Sequence, residues 1–217
     1  EKRVYRLELV GNVEEDYDYF NQIEKFLFEE TGKKPFKFIK TEGKNKSLRI
    51  QFNNKDFVDK LISFGLKSGK KTFDVEIPKN LLKRNFMFLI IRGIFEADGC
   101  LYFSKSKKID YPSYPRLEIR SSSEILVKQL MDFLGKEGFI VYVKKPIKNY
   151  KTFSIVISGK IMLELWIKKI GFVSLKNITK YKIWKSKGFY IPNTILEERL
   201  KECAGGTAAT AVDFFKE

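Results

Sequence analysis

Apolar residues recur every three or four positions between Tyr17 and Glu30, at Phe20, Ile23, Phe26 and Leu27, which predicts an amphipathic helix. The same period returns at Ile125, Leu126, Leu130, Met131, Phe133 and Leu134. Shorter helices are predicted at about 56–64, 160–169 and 195–202. Strict alternation marks the strands, because successive side chains of a strand point to opposite faces. In 47–52, Leu48, Ile50 and Phe52 turn inward while Ser47, Arg49 and Gln51 turn outward. In 114–120, Leu117 and Ile119 oppose Arg116, Glu118 and Arg120. Arg6 and Glu8 share an outer face, as do Tyr102, Ser104, Ser106 and Lys108. In 139–144 the exposed set is Ile140, Tyr142 and Lys144; past a turn at Pro146 to Asn149, Tyr150, Thr152 and Ser154 line up in the same sense.

These elements occur twice. Arg6-Leu-Glu-Leu9 returns as Arg116-Leu-Glu-Ile119, an offset of 110, and the strand 47–52 returns as 152–157, an offset of 105. Gly65-Leu with Lys71-Thr72 returns as Gly171-Phe with Lys176-Asn177. Each copy reads strand, helix, strand, strand, helix, and a period this long is a tandem domain duplication rather than a solenoid repeat. The expected division is 1–80, then 81–196, then a tail at 197–217 whose Ala-Gly-Gly-Thr-Ala-Ala stretch differs from everything before it. The arithmetic also predicts that the first copy's own leading helix and strand, roughly 20–30 residues with an acidic motif, belong before residue 1.

The leading segment of the second copy is the most distinctive. Phe86-Met-Phe-Leu-Ile-Ile91 is apolar almost all round, as a buried helix or one packed on a partner helix would be. Gly93 and Ala97, four apart, leave one face without large side chains. Glu96 and Asp98 then fall at the helix C-terminus, where the macrodipole disfavours negative charge. Asp98-Gly99 alone is ordinary turn chemistry, with glycine as a left-handed cap. A divalent cation would give the acids another purpose.

Charge narrows the partner. Forty-two Lys and Arg against 27 acids give +15 and a pI near 9.6, the footprint of a polyanion binder. High Lys and Glu with no His suits a thermophile, an archaeal one in this reading, and excludes imidazole chemistry. Cys100 and Cys203 make neither a disulfide framework nor a zinc site, which fits a reducing cytoplasm. No run of ~18 apolar residues and no signal peptide is present in the sequence, so a membrane location is not expected. On the outer strand faces stand the residues that read base edges: Arg for guanine, Gln for adenine, Glu for cytosine, Ser and Thr for several. The lysine pairs 33–34, 107–108 and 144–145 suit phosphates.

Ile91-Arg-Gly-Ile-Phe-Glu-Ala-Asp-Gly99 resembles the signature of the LAGLIDADG homing endonucleases position by position, with Arg92 for the first Ala and Glu96 for the first Asp. The resemblance covers roughly 3–195 and implies an α+β fold. It is a tandem pseudo-twofold repeat of αββαββα half-domains whose antiparallel sheets form a saddle on DNA, with the motif helices at the interface through Gly93, Ala97 and Gly99. It further implies hydrolysis of duplex DNA with Mg²⁺, or Mn²⁺ or Ca²⁺ in the same site. Asp98 and the carbonyl of Ala97 would take the metal, with Glu96 at the first acidic position more often supporting the helix end. Lys71 and Lys176 match the family's pocket lysines, Lys70 and Lys180 being alternatives. The DNA-facing set implied is Arg6, Glu8, Ser47, Arg49, Gln51, Tyr102, Ser104, Ser106, Lys108, Arg116, Glu118, Arg120, Tyr142, Lys144, Tyr150, Thr152 and Ser154. Ser121, Ser122, Gly11 and Asn12 depart from the Gln or Lys that relatives carry after the second strand. One motif supplies half of a two-strand site, so the chain as it stands is expected to be inactive or to nick. It would be a monomer with an upstream motif and a dimer without one. A DNA-binding protein that has lost cleavage and an RNA-binding intron maturase are the alternatives.

Overall fold

A computed structural model describes residues 5–69, 72–106, 109–146 and 151–205. The chain forms two compact units. The first comprises the chain up to Ser63 together with residues 174–179 and the segment from Thr194 onward; the second holds 64–173 and 180–193. The described residues from Thr194 to Gly205 are counted with the first unit, and the tail beyond them lies outside the described residues.

In the first unit, β1 (Arg6–Gly11), α1 (Tyr17–Thr31), β2 (Phe36–Glu42), β3 (Asn45–Asn53) and α2 (Lys55–Ser63) follow in order. The antiparallel sheet runs β1-β3-β2. Inward-pointing Leu48, Ile50 and Phe52 of β3 meet Phe20 and Leu27 of α1, all at most 5% exposed. Leu7, Leu9, Ile23 and Phe57 close the edges of this core. Burial follows the sequence pattern because period 2 in β3 and period 3.6 in α1 each put one apolar face toward the other. Helix α1 stops at Gly32, whose left-handed φ of 68° lets its N–H reach the carbonyl of Phe28.

The second unit begins with a 3₁₀ turn (Lys79–Leu81) and continues through α3 (Arg84–Asp98), β4 (Gly99–Ser106), β5 (Ile109–Ser121), α4 (Glu124–Lys136), β6 (Val141–Lys144), β7 (Phe153–Ser158) and α5 (Lys160–Lys169). Its antiparallel sheet runs β4-β5-β7-β6. Without β4 this is the order of the first sheet, so the internal repeat is structural as well as sequential. Leu101, Leu117, Ile119, Ile155 and Ile157 line the inner face, and Ile91, Phe95, Leu130, Leu134, Leu163 and Trp166 are buried on the helices. Phe95 and Trp166 rings meet at 4.9 Å. Ser123 caps α4 by accepting the Leu126 N–H and donates its own hydroxyl to the Val75 carbonyl, which ties the linker to the helix. Helix α6 (Leu175–Lys187) follows, its residues from Lys180 belonging to this unit, and α7 (Leu196–Cys203) ends the described chain.

Helix α3 is buried on one side only. Met87, Ile91, Phe95 and Glu96 are covered, whereas Gly93, Ala97, Phe86 (45%) and Leu89 (59%) are exposed. The all-round burial that composition allowed is therefore confined to half of the helix.

A clamp beside α4 gives the second unit a titratable tie. Arg84 donates to both oxygens of Glu137 at 2.6 and 2.9 Å, and Lys169 adds a bond at 2.9 Å. Hydrogen bonds from Arg84 and then Lys169 hold the Glu137 carboxyl down to about 2. A depressed carboxyl stabilises the fold above its unfolded pKa of about 4.3, and that contribution is lost as pH falls toward about 2. Glu137→Gln is expected to lower the Tm at pH 7, with the wild-type and variant Tm curves converging as pH approaches 2. Parallel curves over that range would show that the clamp does not couple protonation to folding.

Candidate active site and nucleic-acid faces

Asp98 is the last residue of α3 and its side chain is exposed. Neighbouring protein still displaces enough water from the carboxyl to push its pKa up. A helix leaves its last carbonyls without intrahelical partners, so the Ala97 carbonyl is directed off the same end. Gly99 is not the left-handed cap that an Asp-Gly pair suggests. Its φ of −103° and ψ of 167° are extended, and it opens β4 directly. What demands glycine is proximity: an added Cβ would lie 2.5 Å from Cδ2 and 2.7 Å from the carbonyl oxygen of Phe95. The chain thus passes from helix to strand at one residue, with Asp98 at the junction.

Glu96 does not accompany it. It is 2% exposed and accepts the Val173 backbone N–H at 2.7 Å. Its carboxylate is held inside the unit, where it supports the helix end, the role the resemblance gives more often to this position. Among the described residues, no three acidic, cysteine or histidine side chains converge on one point. One exposed carboxylate and one carbonyl nevertheless fit Mg²⁺, which is commonly held by one or two carboxylates with waters and substrate phosphate.

Lys176 lies in the first turn of α6 and donates to Asp16 at 2.8 Å, both side chains being less than 20% exposed. Asp16 is itself fixed by the Asn12 N–H at 2.7 Å. An ammonium neutralised in this way is a weaker partner for a phosphate. Lys71, Lys108 and Tyr150 lie outside the described residues, as does the side chain of Ser106.

Each sheet turns a polar face away from its core. In the first, Arg6 donates to Asn53 at 3.0 Å, and Arg49 donates to Glu8 at 2.9 Å and Ser47 at 3.3 Å, with Gln51 alongside. In the second, Arg116 donates to Ser104 at 3.1 Å and lies 5.5 Å from the Tyr114 ring. Thr152 pairs with Ser122 at 3.4 Å, and Tyr142 and Lys144 are exposed. Sequence reasoning missed Asn53 and Tyr114, which fix the two arginines; cross-strand register brings Asn53 to Arg6, while Tyr114 lies two residues before Arg116 on the same strand.

Glu118 keeps the expected outer face but is covered there by its neighbours. It is 4% exposed, accepting Tyr102 Oη–H at 2.9 Å and Arg120 Nε–H at 2.8 Å. Burial alone would raise its carboxyl, but hydrogen bonds from Arg120, Tyr102 and Ser154 outweigh that and hold it low. Burial and the bond to Glu118 push the Tyr102 phenol up to about 12, so it remains a donor. Glu118 is therefore an internal anchor that aims Arg120 and Tyr102, rather than a side chain free to accept from cytosine.

No family model matches the chain, and no curated protein matches it. Solved structures do. I-DmoI in complex with DNA and Mn matches at a TM-score of 0.50 and 15% identity, over 76% of this chain and 80% of that one. A structure of mesophilic variants of the homing endonuclease I-DmoI matches at 0.50 and 15%, over 76% and 79%. The chain has the fold of the LAGLIDADG homing endonucleases.

Proposed function

We propose that this protein binds duplex DNA through the polar faces of its two sheets and contributes Asp98 to metal-dependent phosphodiester hydrolysis. The observation that carries the reading is one polar face repeated on two separately cored sheets, each with arginines held in place by neighbours. Arg6, Arg49, Arg116 and Arg120 are pre-oriented donors, and a two-stranded ribbon of such side chains fits the major groove. The surplus of +15 supplies the phosphate attraction. I-DmoI was solved with DNA and Mn, which supports duplex DNA and a divalent cation as partners here as well.

Asp98 and the Ala97 carbonyl would hold the cation, while Glu96 keeps the helix end in place. Mg²⁺ bound there supplies Lewis acidity at phosphorus and an activated water. Lys176 is a candidate phosphate partner only if its bridge to Asp16 opens. Because Asp98 lacks a convergent acidic cluster among the described residues, binding without cleavage is the second reading.

The test starts from a random duplex library. Sites retained by the protein are cloned in a plasmid and incubated with Mg²⁺, Mn²⁺ or Ca²⁺. Expected are selected sites whose affinity drops on the order of 10³-fold between 50 and 200 mM salt if about six phosphates are contacted. Mg²⁺ and Mn²⁺ should then yield nicked or linear plasmid. Selected sites without cutting would leave the binding reading alone. Failure to enrich any duplex would remove both.

A further inference from the structure

The polar face of the first sheet carries an unexpected pair of rings. Phe36 and Phe38 are cross-strand partners of Gln51 and Arg49, so they share the outer face with these polar side chains rather than the core face of Ile50 and Phe52. Their rings stack on each other at 4.9 Å and 28°, and Phe36 remains 65% exposed. A core-forming strand would have put these side chains on the opposite face.

The second unit repeats the feature. In the first sheet one rung reads Glu8, Gln51, Phe36 across β1, β3 and β2. The corresponding rung of the second reads Glu118, Val156, Tyr142 across β5, β7 and β6. Phe36 and Tyr142 thus occupy the same edge-strand position of the repeat, and Tyr142 is also 65% exposed. The faces around them carry more cations than acids, with Arg6, Arg49 and Lys40 against Glu8 and Glu42 in one unit and Arg116, Arg120 and Lys144 against Glu118 in the other.

A solvent-facing aromatic amid arginines on a sheet face has a particular complement. Duplex bases offer their edges to the grooves and hide their ring faces in the stack, whereas unpaired bases offer a π-face and a phosphate together. We infer that Phe36 and Tyr142 are stacking platforms for unpaired bases, so that each unit also binds single-stranded polynucleotide. Phe38 backs Phe36 and keeps that ring in place. This site does not depend on cleavage or on recognition of a duplex.

The experiment uses the full chain and fluorescein-labelled oligo(dT), oligo(dA) and oligo(rU) of about 16 nucleotides, with a mixed-sequence duplex of equal length measured in parallel. A 2-aminopurine placed in oligo(dA) reports stacking directly. Wild type is expected to bind the oligomers and quench 2-aminopurine. Phe36→Ala and Tyr142→Ala should each weaken oligomer binding roughly tenfold, with the salt slope unchanged because no charge is removed. Tyr142→Phe should bind as wild type, and Phe36→Leu, apolar but without a π-face, should bind as the alanine variant. The dT-to-rU ratio identifies which polynucleotide is preferred. Absence of quenching, full binding by Phe36→Leu, or an equal loss on the duplex for Phe36→Ala would each overturn the inference. Duplex binding without oligomer binding would defeat this inference alone, and the converse would defeat the duplex reading alone.

Discussion

Asp98→Asn is expected to abolish metal-dependent cleavage, by a factor on the order of 10³ or more, while metal-free duplex binding persists. Asparagine keeps the shape and one acceptor oxygen but removes the negative charge that holds a hard cation. The same substitution should move stability in the opposite direction. Desolvation raises the Asp98 carboxyl above its ordinary value. A raised carboxyl binds protons more tightly folded than unfolded, so metal-free stability declines as pH rises from about 3.9 through the folded-state pKa. The helix macrodipole adds to the penalty, about 0.3–1 kcal/mol for an acid in the last turn. Metal-free Asp98→Asn should therefore melt above wild type at pH 7. Millimolar Mg²⁺ or Mn²⁺ should raise the wild-type Tm and leave the variant unmoved, reversing the order. A variant that still cuts, or a metal response equal in both proteins, would remove Asp98 from the site.

Much of this frame is legible in the sequence because local periodicity and burial agree. The helix predicted from Phe20, Ile23, Phe26 and Leu27 ends within one residue of the observed α1. The alternation in 47–52 gives the inner and outer faces of β3 correctly, since one side of that strand meets a continuous apolar core. Glu118 was not legible, because its burial comes from Tyr102 and Arg120 leaning over it from neighbouring positions. Periodicity tells which face a residue occupies, not whether other polar side chains cover it. The placement of Phe36 is not legible either: in Phe-Lys-Phe-Ile-Lys the apolar residues fall on both faces, and only the register with β3 shows which ones leave the core. At the site, the motif located Asp98 at a helix end. The inward turn of Glu96 depends on Val173, 77 residues away in sequence, which no local pattern contains. Likewise the pairing of Lys176 is not legible, because its partner Asp16 is 160 residues away and is held by its bond from the Asn12 N–H.

Arg199→Ala is expected to cost about 3–5 kcal/mol, the range for breaking a buried ion pair from one side. Arg199 is 1% exposed on α7. Its guanidinium donates to Thr179 Oγ1 at 3.1 Å, to the Thr194 carbonyl and to Glu15. All these groups belong to the first unit, so the contribution falls on that unit. Alanine would remove the guanidinium donor from the Glu15 carboxylate and leave a void where the planar group sat. Urea unfolding should show a lower midpoint for one transition. Hydrogen exchange should assign the loss to residues 5–63 rather than to the second unit, because separately cored units need not unfold together. Lysine should recover only part of the loss, since a single ammonium cannot replace three directed donors. The Glu15 arm can be isolated by a double-mutant cycle with Glu15→Gln. If Arg199 acts mainly through that pair, the double variant is destabilised by less than the sum of the singles. Strict additivity would assign the effect to Thr179 and Thr194. A midpoint within error of wild type for Arg199→Ala would mean that the Arg199 bonds do not stabilise the first unit.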